Sequence, residues 1–363
     1  MTEETNITQA MVLDALRKVM DPELGKDLVT LNMIKDIKIE GANVAFSLVL
    51  TTPACPLKKE ITEAARNAVL AIPGINEVIV ETKSDVPISR RIPDKAPIPN
   101  VRNTIAVASG KGGVGKSTVA VNLALALAKS GARVGLLDTD IYGPSIPMMM
   151  GIKEPLKTTE GEKLIPVTNH GIKLVSVGFM LDEETPLIWR GPLVMQLVKQ
   201  FLTGVVWGEL DYLVIDLPPG TGDAQLTLVQ TIPLTGVIVV TTPQDVALID
   251  ARRAIKMFHQ VNVPILGIVE NMSFFLCPHC GEKTDIFSQG GGERTSERYQ
   301  VAFLGKIPID IQIREGGDTG RPIVVSEPSS PQTGAFIDIS EKVAAKISVL
   351  DLSENQSKPR INE

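Results

Sequence analysis

Gly110-Lys111-Gly112-Gly113-Val114-Gly115-Lys116-Ser117 matches the phosphate-loop pattern G-x-x-x-x-G-K-[ST], and its flanks decide the fold. Ahead of it, Thr104 to Ala108 is a short apolar run suited to a buried strand. Behind it, Thr118 to Lys129 places apolar residues at helical spacing and stops before Gly131, a C-terminal stop signal. Strand, glycine loop and helix in that order aim backbone N–H groups and a helix N-terminus at an anion. The residues from Gly110 to Ser117 are therefore expected to cradle a nucleotide. Lys116 supplies a point charge to the β- and γ-phosphates, and the Ser117 hydroxyl suits Mg²⁺.

The same alternation continues outward from the loop. Apolar strand runs lie at 104–108, 133–137, 172–177, 212–215, 237–241, 265–269 and 302–307, with helices between most of them. That pattern predicts an α/β fold, a mainly parallel sheet covered by helices on both faces. The first ninety or so residues read as a separate small α/β unit. It should hold a helix with Val12, Leu13, Leu16, Val19 and Met20 on one face, then a hairpin around Gly41-Ala42-Asn43. A helix from about Leu57 to Ala71 and a strand near Glu77 to Thr82 complete it. Pro87, Pro93, Pro97 and Pro99 mark a semi-rigid linker. The expected organisation is a small domain at 1–86, a linker at 87–100, a nucleotide-binding domain at 101–350 and a disordered polar tail at 351–363.

Composition narrows the function. The chain has 363 residues, 44% hydrophobic and 21% charged, the balance of a globular protein with a sizeable core. A net charge of −6 speaks against a nucleic-acid partner bound by bulk electrostatics. The acidic start Met1-Thr2-Glu3-Glu4-Thr5 does not read as a secretory signal, so a cytoplasmic location is expected. From Asp223 to Asp245 no intervening residue is charged, but Gln225, Gln230, Pro233, Gly236 and Pro243 interrupt the stretch. It is expected to be a buried helix and a buried strand, with no membrane span. Three cysteines, Cys55, Cys277 and Cys280, are too few for a disulfide framework and lean towards metal or redox chemistry.

Further motifs end strands of the sheet. Asp138-Thr139-Asp140 closes the second strand of the nucleotide domain, and ligands in such sheets lie beyond the strands' carboxyl ends. Tyr212-Leu213-Val214-Ile215-Asp216 has the Walker B form, so Asp216 should hold Mg²⁺ through water. The following Leu217-Pro218-Pro219-Gly220-Thr221-Gly222-Asp223 is placed to sense the γ-phosphate. Asn271, in Val269-Glu270-Asn271-Met272-Ser273, has an amide that can pair with a purine edge.

Cys277-Pro278-His279-Cys280 offers one C-x-x-C pair. A thioredoxin-like dithiol is disfavoured by context, because the pair does not open a helix. A zinc knuckle needs two more ligands, and His170, His259 and His279 are the only histidines. Two chains related by a twofold axis would bring four thiolates to one point, for a [4Fe–4S] cluster or for zinc.

Lys111, directly after the first glycine, makes the loop K-G-G-x-G-K-[ST]. This resembles the deviant phosphate loop of the MinD/Mrp class of ATPases. Together with Asp138-Thr139-Asp140-Ile141-Tyr142-Gly143-Pro144-Ser145, Asp216 to Asp223, Val269 to Ser273 and Cys277 to Cys280, the chain over about 101–350 resembles the Mrp/ApbC family of iron–sulfur cluster carrier ATPases. The first domain is similar to the small iron–sulfur assembly domain found ahead of such ATPases, through Asp21-Pro22-Glu23 and Thr51-Thr52-Pro53-Ala54-Cys55-Pro56. The resemblance implies a homodimer that hydrolyses ATP, receives a labile [4Fe–4S] cluster from donors and passes it to apo-proteins. It implies that Lys111 reaches the partner's phosphates, that Asp140 positions the attacking water with Asp138 nearer the Mg²⁺ shell, and that Asn271 reads adenine. Cys277 and Cys280 would hold the cluster. Cys55 reads either as an activated thiol near a helix start or as a buried structural cysteine. Two rival functions are a MinD- or ParA-like positioning or partitioning ATPase and a zinc-bridged dimeric scaffold. The polar stretch from Asp351 to Lys358 lacks the basic amphipathic helix of membrane-bound members.

Overall fold

The computed structural model describes residues 7–88, 95–141, 143–180 and 191–355. Part of the expected linker, and the tail from residue 356, lie outside them. The chain divides into two compact units, Met1–Pro87 with Ala344–Glu363, and Ile88–Val343.

In the larger unit β1 (Val101–Ser109) runs into the glycine loop, and α1 (Lys116–Lys129) follows. After it come β2 (Val134–Asp138), β3 (Val167–Asn169), β4 (Ile172–Ser176), β5 (Leu210–Asp216), α2 (Asp223–Thr231), β6 (Gly236–Thr241), α3 (Asp245–Gln260), β7 (Ile265–Glu270), α4 (Gly291–Tyr299), β8 (Phe303–Lys306) and α5 (Pro331–Asn355), whose residues from Ala344 fall in the other unit. The eight strands form one sheet in the order β3-β4-β2-β5-β1-β6-β7-β8. Every pairing in it is parallel except β3 with β4. Each apolar run expected to be a strand is one, because a strand covered on both faces reads as continuous Val, Ile and Leu. All seven residues of β5 are buried. From Val119 to Leu127 α1 is buried on every side, as a helix apolar all round must be.

Four expectations need correction, the last of them in the smaller unit. The antiparallel edge strand β3 was not foreseen: His170 and Gly171 both have positive φ (47° and 81°) and make the tight turn of a hairpin, where His is no turn signal. The uncharged stretch after Asp223 is not a fully buried helix, since α2 buries only Gln225, Leu228 and Val229. Asp223, Ala224, Thr227 and Gln230 are exposed, so after Asp223 the outer face is uncharged without being buried. The polar tail does not begin at Asp351 either. Val343, Ala344, Ile347, Ser348 and Asp351 form one buried stripe, and α5 continues through Asn355.

The smaller unit has a three-stranded sheet. Ile34–Glu40 pairs antiparallel with Asn43–Leu50, which pairs parallel with Glu77–Ser84 after a crossover through the helix Lys58–Leu70. Val12, Leu16, Phe46, Leu48, Ile61 and Val69 pack in its core. The first helix, Gln9–Leu16, is shorter than expected, and Met20 lies exposed in a two-residue strand. Pro22 disfavours a helix at Asp21, whose carboxylate instead accepts the N–H groups of Glu23 and Leu24.

Candidate nucleotide site and cysteine hairpin

The ends of β1, β2 and β5 converge on one pocket because their registers align them: Asp216 pairs with Asp138 on one side and with Val107 on the other. Gly110 must be glycine, since a Cβ there would overlap the backbone carbonyl of Asp250 in α3. Gly115 caps α1 at φ 79°, and a Cβ there would collide with the Asn271 amide. A cavity of about 240 Å³ lies over this loop, lined by Ser109, Gly112, Gly113, Gly115, Lys116, Ser117, Asp140 and Pro219 among others.

Inside it the expected groups meet. Lys116 Nζ donates to Asp216 Oδ1 at 2.6 Å and lies 3.4 Å from Asp140 Oδ2. Ser117 Oγ donates to Asp216 Oδ2 at 2.6 Å. Ser117 and Asp216 thus offer two adjacent oxygens, the hard donor set that Mg²⁺ takes. Asp140 Oδ1 is buried with no hydrogen-bond partner, an acceptor held ready beside the lysine. The Thr139 N–H and hydroxyl both donate to the Asp216 carbonyl, at 3.0 and 2.7 Å, locking the end of β2 to that of β5.

Asp138 stands behind this group. Its oxygens accept Ser176 Oγ at 2.7 Å and the Asp140 N–H at 3.0 Å. Ser176, at the end of β4, had no signal in the sequence. Burial, then the neighbouring charge of Asp216, pushes the Asp138 carboxyl up to about 7; burial also raises Asp216, against the pull of Lys116. A raised acid stabilises the fold fully below its unfolded value, and that contribution is lost as pH climbs through its folded value. Without nucleotide or Mg²⁺, the melting temperature should therefore fall by several degrees between about pH 6 and about pH 8. In Asp138→Asn, whose carbonyl can accept from the Asp140 N–H while its amide donates to Ser176 Oγ, the fall should shrink. Melts of the two proteins across that range check it, and an equal fall in both would remove Asp138 as the cause.

The other expected residues lie around the pocket. Lys111 is half-buried and does not line the phosphate cavity; among the described residues its Nζ has no hydrogen bond or ion pair. Asn271 is buried, and its Nδ2 donates to the Val114 carbonyl at 2.9 Å, so it props the glycine loop. It also lines a second, larger cavity of about 620 Å³ that shares Thr118, Ser145 and Met149 with the first. Met272, Ile286, Phe287, Pro308 and Ile309 supply apolar wall there, and Asp310 and Arg314 supply charge. Sequence reasoning missed this cavity because its walls come from separated segments with no shared motif.

Cys277 and Cys280 sit on an exposed hairpin, Phe275–Leu276 with Lys283–Thr284. Its tip is shaped by the Cys277 N–H donating to Glu282 O at 3.0 Å, the Gly281 N–H donating to Cys277 O at 2.8 Å, and Gly281 at φ 70°. Hydrogen bonds from the backbone of Cys280, then of His279, hold the Cys277 thiol below its ordinary value. The thiolate, not the thiol, binds metal. Among the described residues no group of three or more His, Cys, Asp or Glu could hold a metal ion, so the two thiols have no third ligand nearby. Cys55, half-buried, lies just before the helix Lys58–Leu70 and packs against the small unit's core.

A parallel sheet whose first strand feeds a glycine loop, lysine and Walker B aspartate defines a P-loop NTPase. Residues 100–344 match the family described as NUBPL iron-transfer P-loop NTPase, and residues 9–82 match an iron-sulfur cluster assembly protein domain. The chain belongs to this iron-transfer NTPase family. It is 52% identical over 351 residues to an iron-sulfur cluster carrier protein of Synechocystis, covering 95% of this chain and 99% of that one. A solved structure of a nucleotide-binding protein in complex with ADP, from Archaeoglobus fulgidus, is 42% identical with a TM-score of 0.58, over 65% of this chain and 92% of that one. The cell division ATPase MinD of Pyrococcus furiosus, 24% identical with a TM-score of 0.51 over 66% of this chain and 98% of that one, shares the fold. Among the described residues no helix is long and apolar enough to cross a membrane.

Proposed function

We propose that this P-loop ATPase carries a [4Fe–4S] cluster between two copies of the chain and delivers it to apo-proteins. The observation that carries the reading is the cysteine hairpin, exposed and limited to two thiols among the described residues. A four-thiolate cluster is then completed by a second copy through a twofold axis. Exposure suits a cargo that must leave.

ATP lies with its phosphates on Gly110 to Ser117 and its base in the larger cavity, where Asn271 lines the wall. Lys116 leaves Asp216 for the β- and γ-phosphates. Ser117 and Asp216 would hold Mg²⁺, which would offset phosphate charge, while Asp138 fixes the backbone behind them. Asp140, with its unpartnered oxygen, orients the attacking water. Lys111, outside its own phosphate cavity, is assigned to the partner's γ-phosphate. The names of the relatives, a carrier protein and an ADP complex, support the carrier role and the binding of nucleotide. The role requires neither nucleic acid nor membrane.

Protein purified without oxygen should show the broad visible absorption of a [4Fe–4S] cluster, with about four iron and four sulfide per two chains. Zinc at one per two chains without sulfide would instead point to a metal-bridged scaffold and overturn the reading.

A further inference from the structure

Between β7 and α4 the chain leaves the sheet, carries Cys277 and Cys280 outward and returns. Both ends of this excursion meet at one side chain. Glu270, the last residue of β7 and fully buried, accepts Ser273 Oγ at 2.6 Å through Oε1 and the Gly292 N–H at 2.6 Å through Oε2. Ser273 opens the excursion and Gly292 closes it. A buried carboxylate is costly unless hydrogen-bonded, and both of these bonds go to the neck. The next residue, Asn271, holds the phosphate loop at Val114. The outgoing arm is tied down where the Ile309 N–H donates to Phe274 O at 2.7 Å. On the return arm Ile286 and Phe287 form wall of the larger cavity. The segment that bears the cysteines is thus also a wall of the cavity assigned to the nucleoside.

We propose that Glu270 is a positioning residue for the cysteine pair: it clasps the neck of the excursion, so that nucleotide bound against Ile286 and Phe287 is felt at Cys277 and Cys280. The inference rests on the assignment of the larger cavity to the nucleoside, and its test involves neither cluster nor transfer. Bulk packing alone gives no reason for thiol reactivity to follow nucleotide.

The test is the rate at which a maleimide modifies Cys277 and Cys280 in full-length protein carrying Cys55→Ser, with and without saturating Mg·ADP. In that background ADP should slow modification by about threefold or more, as a shift in the population of open hairpin. Glu270→Leu, of similar size but without acceptors, should lose the ADP effect while ADP affinity stays within about threefold. Glu270→Gln should keep the effect, because its carbonyl can accept from Gly292 and its amide can donate to Ser273. Equal rates with and without ADP in the Cys55→Ser protein, or an undiminished ADP effect in Glu270→Leu, would overturn the proposal. If Glu270→Leu does not fold, Ser273→Ala decides, since it removes one of the two bonds: a reduced effect supports the clasp and an unchanged one refutes it. Absence of any iron–sulfur cluster would sink the carrier reading yet leave this thiol measurement valid.

Discussion

Lys116→Ala should cut ATP turnover by about 10³-fold or more, the largest loss expected from one side chain here. Lys116 is buried with Asp140 and Asp216 around its ammonium, and Asp138 lies just behind. In the nucleotide-bound state that charge is assigned to the phosphates, so its removal takes away the main cation at the developing negative charge. The empty protein should suffer as well. Deleting one partner of a buried ion pair leaves the other uncompensated, a cost of about 3 kcal/mol that a lower melting temperature would register. Lys111→Ala is the informative contrast. This lysine has no partner in its own chain among the described residues and lies outside its phosphate cavity, so the variant should bind ATP within a few-fold of the parent. Turnover should still collapse, because the partner's site loses its cation. Steady-state phosphate release beside nucleotide titration separates the two variants. Parental turnover in Lys111→Ala would end the assignment across the dimer.

In a mixed dimer, one parent chain paired with one chain carrying Cys277→Ala and Cys280→Ala should retain almost no stable cluster after anaerobic reconstitution. Such a dimer offers two thiolates where a [4Fe–4S] core takes four. The two cysteines of each chain share a small exposed hairpin, which leaves a half-site open to water and to competing thiols. The parent homodimer should hold a full complement. Iron and sulfide analysis of tagged, isolated heterodimer provides the check. Half the parental iron would mean that each chain binds its own metal, and the bridging arrangement would fall. Cys55→Ala should leave the cluster in place, since Cys55 packs against the core of the smaller unit; cluster loss there would make Cys55 a ligand.

The main architecture was legible in the sequence because it rests on local chemistry. Continuous Val, Ile and Leu runs suit only strands covered on both faces, and Gly110 and Gly115 allow close approaches that a Cβ would obstruct. Residues at strand ends, Asp138, Asp140, Asp216 and Asn271, must then gather at one edge of a parallel sheet. Where signals were weak, the reading failed: the hairpin turn puts His170, with no turn preference of the Asn, Asp or Gly kind, at a positive φ, and α2 carries no charge after Asp223 without lacking an exposed face.

What each of those side chains does once gathered was decided by tertiary packing. A buried polar group turns to whichever partner lies within hydrogen-bonding reach, and that partner comes from a distant segment. Asp138 is held from behind by Ser176, while Asp140 keeps a free oxygen beside Lys116. The Asn271 amide donates to Val114, and Glu270, given no role of its own within the Val269 to Ser273 motif, joins the two ends of the cysteine excursion. The larger cavity exists only where residues near 148, 272, 287, 309 and 314 come together. Spacing along the chain sets which face of an element a residue occupies; closure of separate loops onto one another sets which atoms it touches, and only the folded chain contains that information.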